Sequence, residues 1–336
     1  MEKEVTIYDI ARLLKLSPAT VSRALKDHPA ISAGTKRLIT AAAEEMGYRS
    51  NTFASNLRRQ RSNTIGVIVP RLDSAFMSTV LAGMEKIVNE GNYNLIISQS
   101  LESVRKEKAN VKTMFDSRID GLLVSLSSDT DDLSHFQPFF QKEIPVILFD
   151  RVLPHPNCTS IVIDNVRAGY DAAVHLVRQG RKRMMHVSGS QKRNVYEERL
   201  RGFRQALAEH GLADDLVLVG NLTRQDGLDA ARYIRQLPQP PDGLFVASDF
   251  CAASCIGALK EAGFAIPNDI AVVGFNDDPV AQVVEPRLTT IRYPGQEMGE
   301  IAAQSLISHL SGQPPVTAAN TIVLNHELIV RGSSTP

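Results

Sequence analysis

From residue 64 onward the chain repeats one rhythm, a short β-rich apolar run followed by a longer amphipathic segment. The runs are TIGVIVP, YNLIIS, DGLLVS, IPVILF, TSIVI, RMMHVS, DLVLVG, GLFVAS and IAVVGF. Strands this apolar have no face to give to water. They belong in parallel sheets covered on both sides by the intervening helices, such as 165–179 and 196–210. Nine strands in this alternation divide better into two α/β subdomains than into one sheet, with a break near residue 163. The last runs, LTTI and TIVL, are expected to cross back between lobes. The first lobe is then about 63–163 and 292–322, and the second about 164–291 and 323–336. Two open α/β lobes joined in this way leave a cleft between their C-terminal strand ends, where a small ligand binds.

The first 48 residues carry helical periods only. Thr6 can cap a helix whose apolar positions Ile7, Ile10, Ala11 and Leu14 recur at helical spacing. A second helix has Ser17 as cap and Pro18 in its first turn, where the missing N–H costs nothing. Val21, Ala24 and Leu25 face inward, which leaves Ala19, Thr20, Ser22 and Arg23 outward or sideways. A third helix follows Ser32, with Leu38, Ile39, Ala42 and Met46 expected on one face, and stops at Gly47. A tight turn followed by a helix with a small, polar, arginine-bearing start has the geometry of a helix-turn-helix, whose second helix enters the major groove. A plain helical cap on the body has no use for such a surface.

Charge separates the two parts. Residues 1–61 hold 11 Lys/Arg against 6 Asp/Glu, a net of +5, and the remainder holds 26 against 31, a net of −5. A basic head on an acidic body points to a polyanion partner for the head. The three cysteines, Cys158, Cys251 and Cys255, are an odd count that argues against a disulfide framework, and they read as buried small side chains. No run reaches the roughly 18 apolar residues of a membrane span, and the N-terminus lacks a signal-peptide block, so a cytoplasmic protein is expected. RKR at 181–183 lies between a helix end and a strand and reads as a solvated loop. No nucleophile elbow, phosphate loop, dinucleotide fingerprint or metalloprotease motif stands in a fitting context, so neither an enzyme nor a cofactor is expected.

The run VTIYDIARLLKLSPATVSRALKDHPAISAGTKRLITAAAEEMGYRSN resembles, nearly end to end, the DNA-binding head of the lactose-repressor family of bacterial regulators. The resemblance implies that Pro18, Ala19, Thr20 and Arg23 read bases and that Thr6, Ser17, Thr20, Ser22 and Tyr48 meet phosphates. Lys15 stands where that turn usually has glycine. Residues 51–62 resemble the family's hinge, which folds into a helix on DNA. That likeness places Asn51, Ala54, Leu57 and Arg58 at the minor groove, with Leu57 as a wedge between base pairs.

The body resembles the same family's effector domain, itself similar to periplasmic sugar-binding proteins, through I-P-V-I-L-F-D-R, R-L-R-G-F, G-L-F-V-A-S-D and V-V-G-F-N-D. By that likeness Phe76, Asp150, Arg193, Arg199, Leu222, Ser248, Asp249 and Asn276 surround the effector. Asn276 stands where aspartate is common, and Leu222 stands where purine-responsive relatives have an aromatic ring, which favours a sugar.

The implied fold is α/β. A three-helix helix-turn-helix domain (1–50) and a hinge helix (51–62) precede a two-lobed, periplasmic-binding-protein-like body (63–336). The implied function is a cytoplasmic homodimeric repressor of carbohydrate-utilisation genes. It binds a pseudo-palindromic operator in double-stranded DNA and takes a small effector, a sugar or sugar derivative, between its lobes. The alternative is a solute-binding protein of a transport system, against which the basic head and the missing signal peptide speak. The chain ends without a heptad, so a dimer is expected rather than a tetramer.

Overall fold

The computed structural model describes residues 5–48, 62–213, 216–312 and 321–335. It divides into two units, Met1–Ser62 and Asn63–Pro336. In the first unit, helices α1 (Ile7–Leu14), α2 (Pro18–Leu25) and α3 (Ala33–Glu45) enclose a small core of Ile10, Val21 and Ile39 with Ala11, Ala24, Ala42 and Ala43. Lys15 ends α1 in the left-handed conformation, φ 55° and ψ 37°. The chain thereby turns directly into Ser17, whose Oγ accepts the Thr20 N–H at 3.1 Å to start α2. Gly47 closes α3 at φ 66°.

Leu38 departs from expectation. It is 55% exposed, because the inward stripe of α3 runs through Ile39, Ala42 and Ala43, and Leu38 lies about 100° around the helix from Ile39.

The second unit holds two six-stranded sheets. The first is built from β1 (Thr64–Val69), β2 (Asn94–Gln99), β3 (Gly121–Val124), β4 (Val146–Phe149), β5 (Cys158–Ile163) and β11 (Thr321–Leu324), in the order β11-β5-β4-β3-β1-β2. Every pair in it is parallel. The second is built from β6 (Met184–Ser188), β7 (Val217–Val219), β8 (Gly243–Val246), β9 (Ala271–Asn276), β10 (Thr289–Arg292) and β12 (Glu327–Ile329), in the order β12-β10-β9-β8-β6-β7. Here only β12 pairs antiparallel. β12 is three residues long and opens on Glu327, so no apolar run announced it.

The interior strands β3, β4, β6 and β8 are buried throughout, as helices on both faces require. β2 lies at a sheet edge and leaves Ile96 and Ile97 each 43% exposed. Around the first sheet pack α4 (Ala75–Glu90), α5 (Val104–Asp116), α6 (Gln137–Gln141) and α12 (Gly295–Leu310). The second sheet carries α7 (Asn165–Arg178), α8 (Asn194–Glu209), α9 (Arg224–Gln236), α10 (Asp249–Glu261) and α11 (Val280–Val283). The chain therefore crosses between lobes three times, after β5, after β10 and after β11.

Helix α7 lies unusually close to α8. A Cβ at Gly202 would sit 1.8 Å from the Val166 carbonyl oxygen, and one at Gly169 would sit 2.1 Å from the Arg199 carbonyl oxygen. Only glycine permits this approach, and it fixes where Arg199 stands. Among the described residues no helix is long and apolar enough to cross a membrane.

Candidate ligand cleft and recognition helix

The C-terminal ends of both parallel sheets border one cavity of about 470 Å³, the position that open α/β topology reserves for ligands. Six of the eight residues expected there line it: Phe76, Asp150, Arg199, Leu222, Ser248 and Asn276.

Phe76, in the first turn of α4, stacks on Tyr293 with centroids 4.3 Å apart and an interplanar angle of 18°, forming an apolar wall. Asp150 follows β4 in the left-handed region, φ 59°. Its carboxylate accepts the Tyr293 hydroxyl at 2.9 Å and the Ser125 hydroxyl at 3.2 Å. Burial pushes its pKa up, against the pull of Arg151 and Arg199. Arg199, on α8, is 3% exposed and lies 3.5 Å over the Phe275 ring, with its Nε donating to Asn165 Oδ1 at 2.9 Å. Burial lowers its pKa despite Tyr293, Tyr196 and Asp150, so the protein alone undercompensates this charge.

The cavity therefore sets a cation and a carboxyl group beside an aromatic wall. Ser248 caps α10 through the Cys251 N–H, Leu222 packs into the core beneath the rim, and the Asn276 amide donates to Asp278 at 3.2 Å.

Two expected residues are not brought to the cavity wall. Arg193 is buried and sends Nη2 to the Thr130 carbonyl, while its Nε and Nη1 have no partner among the described residues. Asp249 is fully buried behind the site, where it accepts Thr290 Oγ1 at 2.7 Å and the Asp278 N–H at 2.8 Å. Burial raises its pKa to about 7. It orders the loop after β9, and the reason is local: the first residue of α10 has its carboxylate turned back onto the strand ends.

Among the lining residues that the sequence did not point to, Arg151, Tyr196 and Tyr293 carry polar groups into the site. Arg151 is held by Glu102 at 2.7 Å and donates to the Tyr196 hydroxyl at 3.1 Å. Its neighbour Asp150 was the available signal. Tyr196 lies three residues before Arg199, on the same helix face. Tyr293 depends on a lobe crossing that no local pattern reveals.

In the first unit, Ala19 and Arg23 are exposed on one face of α2, with Pro18, Thr20 and Ser22 half-buried beside them. The Arg23 guanidinium is paired with nothing among the described residues. Thr6 and Ser17 are exposed, each at the start of its helix: Thr6 donates to Asp9 at 2.9 Å through its N–H and at 2.6 Å through its hydroxyl. Tyr48 packs half-buried on the core. Asn51, Ala54, Leu57 and Arg58 lie outside the described residues.

A helix-turn-helix unit and a two-lobed α/β body with a cleft at its strand ends define a ligand-responsive DNA-binding protein. Residues 6–51 match the model of bacterial regulatory proteins of the lacI family, and residues 173–334 match a periplasmic binding protein-like domain. The chain is 31% identical over 336 residues to the HTH-type transcriptional repressor CytR of Escherichia coli (strain K12), covering 99% of this chain and 97% of that one. It is 29% identical over 334 residues to catabolite control protein A of Priestia megaterium, covering 98% and 99%. The chain belongs to the LacI family of bacterial regulatory proteins.

It is a DNA-binding transcriptional regulator and not an enzyme. Its fold is that of the lac repressor dimer solved on operator with the anti-inducer ONPF, at TM-score 0.88 and 23% identity over 99% of this chain and 100% of that one. A complex of the regulator CelR with cellobiose is similar at TM-score 0.73 and 27% identity, covering 98% and 100%.

Proposed function

We propose that the protein is a cytoplasmic homodimeric repressor of carbohydrate-utilisation genes, released from or fastened to a pseudo-palindromic operator by a sugar or sugar derivative. In this reading α2 lies in the major groove, with Pro18, Ala19, Thr20 and Arg23 at base edges. Thr6, Ser17, Thr20, Ser22 and Tyr48 meet phosphates. Residues 51–62 form the hinge, with Asn51, Ala54, Leu57 and Arg58 at the minor groove. Homodimerisation follows from operator symmetry, since one short helix reads too few bases to find a site in a genome.

One observation carries the ligand class. Asp150 and Arg199 share a cavity whose wall is the stacked Phe76–Tyr293 pair. Adjacent acceptors and donors beside an apolar ring face complement a polyol, whose hydroxyls both give and take hydrogen bonds while its C–H face lies on the aromatic. Arg193 and Asp249 support the site from behind. The relatives point the same way, one solved with cellobiose and one as a dimer on operator.

Selection of genomic fragments on the full chain, beside a version lacking residues 1–61, tests this reading. A palindromic site enriched by the full chain alone supports it. No enrichment, even with a panel of sugars and sugar phosphates present, refutes it.

A further inference from the structure

One short segment at the start of α8 makes a series of contacts to the other lobe. Lys192 reaches Asp131 at 3.4 Å, and Arg193 donates to the Thr130 carbonyl. The Asn194 Oδ1 accepts the Val152 N–H at 3.0 Å, and its Nδ2 donates to the Asp150 carbonyl at 3.2 Å. The Tyr196 hydroxyl takes a hydrogen bond from Arg151, which Glu102 anchors in the first lobe. All the first-lobe partners sit on two loops, the one after β3 and the one after β4.

We propose that Asn194 is a positioning residue that assembles the first lobe's half of the ligand site from the opposite lobe. The proposal rests on reading the cavity as the effector site. Asp150 stands in a left-handed conformation that an L-residue adopts at a cost. Asn194 brackets the turn Asp150–Val152 on both sides, accepting from its last residue and donating to its first. The turn that presents Asp150 and Arg151 to the cavity is therefore clamped only while the lobes are together. Arg199, five residues beyond Asn194 on the same helix, ties ligand contact to clamp geometry.

The device is kept reversible by Arg193. Its Nε and Nη1 are buried without partners among the described residues, and opening returns them to water. That gain offsets part of the hydrogen bonding lost when the clamp releases.

The test measures lobe separation in the full-length protein without ligand, so a wrong effector reading leaves it interpretable. Spin labels are placed at Ser78→Cys and Gln225→Cys, two exposed positions beside the cavity mouth, one in each lobe. Labelled chains are diluted with unlabelled ones. Cys158, Cys251 and Cys255 are buried, and burial pushes each thiol up to about 12, so the labels go to the introduced sites.

Asn194→Ala is expected to add a longer-distance population and raise the open-to-closed ratio about tenfold. Tyr196→Phe, which keeps the ring packed beside Gly189, is expected to raise it by roughly threefold. A wild-type distance distribution in Asn194→Ala overturns the proposal, whatever Tyr196→Phe does. If Asn194→Ala does not fold, a wild-type distribution in Tyr196→Phe does so alone.

Discussion

Arg199 separates a residue kept for a ligand from one kept for the fold. Replacing it with methionine removes a guanidinium that is 3% exposed and has no carboxylate hydrogen-bonded to it among the described residues. The methionine fills much of the same volume with an adaptable apolar chain. On the cost side, the Asn165 Oδ1 bond at 2.9 Å is lost, about 1–3 kcal/mol when the partner stays buried. The contact with Phe275 at 3.5 Å adds up to about 2 kcal/mol. On the other side, the desolvation penalty of a buried ion, several kcal/mol, disappears, and burial lowers the Arg199 pKa in keeping with such a penalty. These terms nearly cancel, so the ligand-free body should keep its stability within about 1 kcal/mol or gain slightly. Urea unfolding reports this. The chain has no tryptophan and 7 tyrosines, so far-ultraviolet circular dichroism and tyrosine fluorescence follow the transition. A loss above about 3 kcal/mol, the size expected when a buried ion pair is broken, would refute the reasoning and make Arg199 a structural strut.

Three further perturbations follow. Lys15→Gly relieves a left-handed lysine at φ 55° and should stabilise the helical unit by about 1 kcal/mol, net of glycine's greater unfolded entropy, read as a raised unfolding midpoint; an unchanged or lowered midpoint contradicts the turn geometry. His186 is fully buried, donates from Nδ1 to the Phe245 carbonyl at 3.0 Å, and has its pKa pushed down to about 3, mainly by burial. Its depressed pKa means that its contribution is complete above about pH 6.5 and lost as pH falls toward 3, so wild type should lose about 1 kcal/mol per pH unit relative to His186→Leu across that window; parallel pH curves for the two proteins exclude it. Gly202→Ala drives a Cβ into the Val166 carbonyl oxygen and should cost about 3 kcal/mol or more, as other overpacked sites do, while moving Arg199; a loss under about 1 kcal/mol in thermal or urea unfolding would show that α7 and α8 can separate freely.

Much of this architecture is legible in the amino-acid sequence because it rests on local periodicity. Wholly apolar runs such as GLLV and VILF can only be interior parallel strands, and that is where they lie. Ser17, Pro18 and Gly47 announce helix ends by backbone chemistry that needs no partner. The cavity was legible to the extent that its residues follow strand ends: Asp150, Ser248 and Asn276 each come directly or two residues after an apolar run.

What escaped detection depends on contacts distant in sequence. Arg193 and Asp249 lie within two positions of cavity-lining residues, and only the opposite lobe, or a strand some 40 residues on, decides which way they turn. Tyr293 reaches Asp150 across 143 positions. Leu38 misled because a three-helix core has room for one stripe of α3, and a periodic reading cannot tell neighbouring stripes apart by a single residue.

The central claim is that occupancy of the cleft, sensed through Arg199, governs DNA binding by the separate helical unit. The most direct measurement is operator affinity, on a site obtained by fragment selection, titrated with a panel of sugars and sugar derivatives for wild type and Arg199→Met. Wild type should change its affinity with at least one compound, while the variant binds the bare operator equally well and does not respond. A variant that loses operator binding without any compound present, or a wild type indifferent to the whole panel, would contradict the claim.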